Sequence, residues 1–120
     1  MSEGIPPGLQ AQMARLQQLQ EELQRVLLRK EQWRILILEI DRALKELEKV
    51  SEDTPVYKIS GPLMIKWSKE EAVKELKERR EDAELHVKTL DRQESLIRKQ
   101  IEDLRKRISS QLTSLKQGSA

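Results

Sequence analysis

Val56-Tyr57-Lys58-Ile59-Ser60-Gly61-Pro62-Leu63-Met64-Ile65-Lys66-Trp67 reads at a period of two, and it stands between two long tracts that read at a period of 3.5. Tyr57, Ile59, Leu63, Ile65 and Trp67 alternate on either side of Ser60, Gly61 and Pro62, which predicts a β-hairpin over 56–67 turning at Gly61. The alternation assigns these five residues to one nearly continuous apolar face and Val56, Lys58, Met64 and Lys66 to the other.

Upstream, position a of a heptad repeat holds Leu9, Leu16, Leu23, Lys30, Ile37 and Leu44, and position d holds Gln12, Leu19, Val26, Trp33, Ile40 and Leu47. Downstream, a holds Val73, Arg80, Val87, Glu94, Ile101, Ile108 and Leu115, and d holds Leu76, Ala83, Leu90, Ile97, Leu104 and Gln111. An apolar repeat sustained this long marks a coiled-coil seam. Pro6, Pro7 and Gly8 delay the first helix to Leu9, and it is expected to run over 9–50. A polar linker over 51–55 ends at Pro55. Ser68 with Glu71 is a capping-box signal that opens a second helix over 69–117, released before Gly118. The chain therefore reads as one domain over 1–120, mostly α: a long antiparallel two-helix coiled coil with a single central β-hairpin. Heptad arithmetic leaves two pairings open, with residue numbers summing to about 120 or about 127.

The composition suits this architecture and argues against a compact core, since 37% of residues are charged, 2% are aromatic and none is Phe. Lys and Arg number 23 against 21 Asp and Glu, interspersed along the chain, so no basic stripe for nucleic acid is formed. Acid–base pairs at i,i+4, such as Asp41 with Lys45, Glu84 with Lys88 and Glu102 with Lys106, favour solvated helices. Cysteine is absent, which excludes disulfides and thiolate metal sites and fits a reducing, cytoplasmic setting. The longest apolar run is Ile35 to Leu38 and the first residues lack a signal-peptide pattern, so no membrane association is expected. Abundant Glu, Lys and Arg with no Asn match heat-adapted usage.

A two-stranded hairpin is marginal in water, and this one has open edges. Several chains pooling their hairpins into a shared sheet or barrel would bury Tyr57, Ile59, Leu63, Ile65 and Trp67, so oligomerisation is expected to complete the fold. Where the chain ends meet, the seam degrades to Gln12 and Gln111, with Met13 and Leu112 at flanking e positions. Ile5, Leu9, Met13, Leu16, Ile108, Leu112 and Leu115 are there expected to be incompletely sequestered, a deformable apolar tip suited to varied partners.

These residues resemble the β-type subunit of the prefoldin family, in its archaeal form. The resemblance runs over almost the whole chain, from the Ile5-Pro6-Pro7 opening to the last helix. It is carried by Val56-Tyr57-Lys58 leading to Gly61 and Leu63, by Lys66, by Ala72-Val73-Lys74-Glu75-Leu76-Lys77, and by Arg92-Gln93-Glu94. It implies a complex of two α-type and four β-type subunits joined by hairpins in a double β-barrel hub. It also implies an ATP-independent chaperone that holds unfolded polypeptides at the coiled-coil tips and passes them to a group II chaperonin. Tyr57, Ile59, Leu63 and Ile65 fall to the hub, and the seven tip residues to clients. Leu28, Ile35 and Leu38 lie off the seam in a second apolar stripe that a plain two-helix arm does not require; it is expected to meet a neighbouring subunit or a client.

Other candidates read more simply. Lys30, Arg80 and Glu94 at a positions set alignment. His86, at g, is a solvated histidine with no ligand partners, and Trp33 is seam packing. Trp67 is equally a subunit contact or a strand-to-helix contact. Gly61-Pro62 is turn geometry, and neither a nucleophile–base pair nor a phosphate loop is present, so no catalysis, cofactor or metal is expected. The alternative to a chaperone subunit is a structural coiled-coil scaffold docking one defined partner.

Overall fold

The computed structural model describes residues 4–118. Its elements are α1 (Pro7–Glu48), β1 (Val56–Ser60), β2 (Leu63–Trp67) and α2 (Lys69–Gly118). The first helix begins two residues before Leu9, because Pro7 sits in the first turn, where a missing N–H costs nothing and its fixed φ is already helical. It closes with tight bonds from the Lys49 and Val50 N–H groups to the carbonyls of Glu46 and Leu47, and Lys69 Nζ donates to the Val50 carbonyl at 2.9 Å. Ser68 caps α2: its Oγ accepts from the Glu71 N–H at 3.0 Å, satisfying one donor of the first turn.

The chain forms two compact units. One holds the described residues up to Arg29 and from Leu90 onward; the other is Lys30–Thr89. In each, α1 and α2 run antiparallel along the heptad seam. In the first unit the seam buries Leu9, Leu19, Val26, Leu90, Ile97, Ile101 and Ile108, and in the second Ile40 and Ala83. Among the described residues, Ala72 is the one buried apolar side chain off positions a and d. Each large apolar side chain removed from water contributes about 1.5–3 kcal/mol, which is what holds two otherwise charged helices together. In the second unit Asp41 meets Arg80 and Trp33 meets His86, which selects the pairing whose residue numbers sum to about 120.

β1 and β2 pair antiparallel, with Val56 opposite Trp67, Tyr57 opposite Lys66, Lys58 opposite Ile65, Ile59 opposite Met64 and Ser60 opposite Leu63. Gly61 has φ 56° at the first central turn position. With Pro62 held near its usual negative φ after it, the signs are those of a type II′ turn, whose twist suits a hairpin.

Candidate functional site

The hairpin's register corrects the expected faces. Directly opposed residues share a face, so Tyr57, Ile59, Met64 and Lys66 form one side, and Val56, Lys58, Ser60, Leu63, Ile65 and Trp67 form the other. Tyr57 and Ile59 thus point away from Leu63, Ile65 and Trp67, because a two-residue turn interrupts the odd–even alternation between strands. Both faces carry exposed apolar side chains: Ile59 is 74% exposed and Met64 67% on one, and Leu63 62% on the other. Tyr57 and Ile65 are about half exposed.

Trp67 is the half-buried member. Lys58 Nζ lies 4.7 Å from its ring centroid, a cation–π contact made across the diagonal of one face. The same ammonium donates to Glu75 Oε1 on α2 at 2.8 Å, fastening the hairpin to the helix. An open groove of about 530 Å³ lies between hairpin and helices, lined by Leu47, Val50, Val56, Ile59, Ala72 and Leu76 among others.

In the other unit the helix ends place the seven tip residues in three environments. Leu9 and Ile108 are buried in the seam and Leu16 is half-buried, so these three are better sequestered than their position near the two glutamines implied. Ile5, Met13, Leu112 and Leu115 are each 40–45% exposed. Two apolar grooves open here. One, of about 420 Å³, is lined by Pro6, Leu9, Gln12, Gln111, Ser114 and Leu115; the other, of about 350 Å³, by Leu16, Ile108, Leu112 and Lys116 among others.

Off the seam, Ile35 and Leu38 are exposed in the second unit and Leu28 in the first. Leu85 and Leu96 are exposed as well, as their off-seam positions f and c dictate.

Two contacts that heptad spacing does not specify join α1 and α2 in the second unit. Arg80 Nε donates to Asp41 Oδ1 at 2.6 Å and Nη2 to Oδ2 at 3.2 Å, a bidentate grip, while Nη1 meets Glu84. The hydrogen bonds from Arg80 hold the Asp41 carboxyl below the usual carboxylate range, and Asp41 in turn raises the guanidinium. Asp41 and Glu84 are therefore taken by Arg80 rather than by the lysines four residues on, whereas Glu102 does reach Lys106 at 3.3 Å. His86 stacks on Trp33, with centroids 4.0 Å apart and planes within 2° of parallel. It is half-exposed, as a solvated residue would be, but one ring face is covered. Among the described residues no three His, Cys, Asp or Glu converge as metal ligands, and no helix is long and apolar enough to cross a membrane.

In each unit the helices run antiparallel along a heptad seam, and the hairpin exposes apolar side chains on both faces, which together define a coiled-coil protein built around a β-hairpin. Residues 10–114 match the family model described as prefoldin subunit, and the chain belongs to that family. It is 49% identical over 112 residues to the prefoldin subunit beta of Pyrobaculum islandicum, covering 93% of this chain and 90% of that protein. The prefoldin subunit beta of Saccharolobus islandicus is 42% identical over 113 residues, covering 94% and 90%. The crystal structure of the prefoldin beta subunit from Thermococcus strain KS-1 superposes with a TM-score of 0.84 at 36% identity, over 92% of this chain and 96% of that one.

Proposed function

We propose that this chain is a β-type prefoldin subunit that holds unfolded polypeptides without ATP and transfers them to a group II chaperonin. The role is one of binding, not catalysis, in the cytoplasm. The observation that carries it is the set of apolar side chains exposed at the helix ends, Ile5, Met13, Leu112 and Leu115, beside two open apolar grooves. Unfolded chains expose scattered apolar side chains, and a bordered apolar patch on an otherwise charged surface is where such chains lodge. Leu9, Leu16 and Ile108 support that patch from the seam.

Assembly falls to the hairpin. Tyr57, Ile59, Leu63, Ile65 and Trp67, with Met64 added, are covered when hairpins of two α-type and four β-type subunits join in a barrel hub. Burial of such side chains at about 1.5–3 kcal/mol each offsets the cost of association.

The test is aggregation suppression. The assembled protein is expected to keep several unrelated denatured proteins soluble with no nucleotide present. Removing Met1 to Leu9 together with Leu112 to Ala120 should abolish this while leaving the native mass per assembly proportionate. Protection that survives the truncation, or binding confined to one folded ligand, overturns the reading.

A further inference from the structure

The groove at the start of α1 and the end of α2 contains a polar group that packing alone leaves unanswered. Gln12 occupies a d position of the seam, and its Oε1 is the one buried side-chain oxygen or nitrogen without a hydrogen-bond partner among the described residues. An unsatisfied buried amide oxygen costs about 1–3 kcal/mol, so a leucine in its place would pack with less strain on the energy balance. The groove it lines has Leu9 and Leu115 as apolar walls, with Pro6, Gly8, Gln111 and Ser114 completing the lining. None of these side chains is ionisable, so the groove selects for a neutral occupant. It combines an apolar wall with an amide in need of a donor.

We propose that Gln12 is a sequence-independent anchor for the main chain of a bound polypeptide, accepting a backbone N–H while the client's apolar side chain lies on Leu9 and Leu115. Gln12 also lines the groove, and a half-turn of its terminal amide about χ3, which exchanges Oε1 with Nε2, is the movement this anchor requires. A peptide unit is neutral, carries the missing donor and is common to every client, which matches a site that must hold many sequences. Apolar contact alone leaves the client's backbone N–H groups unrecognised, and this amide recognises one of them. The inference rests on the proposed binding of unfolded chains at the helix ends and adds the group that recognises them.

The experiment uses the full-length assembled protein and two fluorescein-labelled ten-residue Leu-Ala peptides, one unmodified and one N-methylated at alternate residues, followed by fluorescence anisotropy. The native protein is expected to bind the unmodified peptide about fivefold or more tightly than the methylated one. The isosteric Gln12→Met variant keeps the apolar wall, removes the acceptor and is expected to bind both alike, with its melting temperature equal or higher. Equal binding of the two peptides by the native protein overturns the anchor and leaves the apolar capture standing. Binding of neither peptide overturns both, and a methylation penalty that persists in Gln12→Met assigns the backbone contact elsewhere and so also refutes it.

Discussion

Arg80 stands at a seam position where an apolar side chain would pack more simply, and its guanidinium is satisfied by Asp41 across the seam and Glu84 on its own helix. Such a residue fixes alignment at some cost in stability, because only one register brings Asp41 within its reach. Arg80→Leu is therefore expected to raise the melting temperature and to broaden the distance distribution between spin labels placed on the two helices; a single sharp distance would show that alignment is fixed elsewhere. The pairing also has a pH signature. Asp41 is held below the ordinary carboxylate range, so its contribution is fully present above the unfolded value and is lost as pH falls through its lowered folded value. Acid titration of the melting temperature should fall less steeply in Arg80→Leu than in the native chain, and parallel curves would contradict this. Trp33 and His86 invite a double-mutant cycle, with Trp33→Leu and His86→Ala expected to couple by about 0.5–1.5 kcal/mol.

At the scale of the element, the hairpin turns on Gly61. A side chain at its positive φ is strained even though open space surrounds it, so Gly61→Ala is expected to cost about 1–2 kcal/mol and to lower the assembled fraction in native mass measurements. The two faces make separate demands. Ile59→Ser and Ile65→Ser, on opposite sides, should each weaken assembly, and an effect from only one would mean that the hub covers a single face. On α1, Ile35→Ser with Leu38→Ser touches exposed positions and is expected to change chain stability by less than about 0.5 kcal/mol, read by thermal melting. Any loss of client protection in that variant then belongs to surface binding, and intact protection would make the stripe ornamental. The elements were readable because heptads and alternation are local, and Ser68 before Lys69 is a local cap. The hairpin faces also follow from local spacing, since a two-residue turn pairs odd positions with even ones, whereas unbroken alternation would put all five apolar residues on one side.

For the whole molecule, the distribution of apolar surface is what assembly must resolve. Tyr57, Ile59, Leu63, Met64 and Ile65 are all exposed in the single chain, so at micromolar concentration the purified protein is expected to run well above its 14.1 kDa chain mass, with or without an α-type partner. A dilute, stable species of one chain would show that the hairpin tolerates water. The candidate tip was only partly legible. Leu9 and Ile108 follow the seam inward despite the neighbouring glutamines, while Leu112, at e, stays exposed.

The sequence by itself determined the two helices, the hairpin between them, the seam positions and the family, because each depends on spacing within a short window or on a run of residues side by side. Tertiary structure decided the helix register, the Asp41–Arg80 grip, the Trp33–His86 stack and the unanswered amide of Gln12. These join residues distant in sequence or depend on complete packing around one atom, and a repeat that accommodates more than one alignment cannot specify which side chains meet across it.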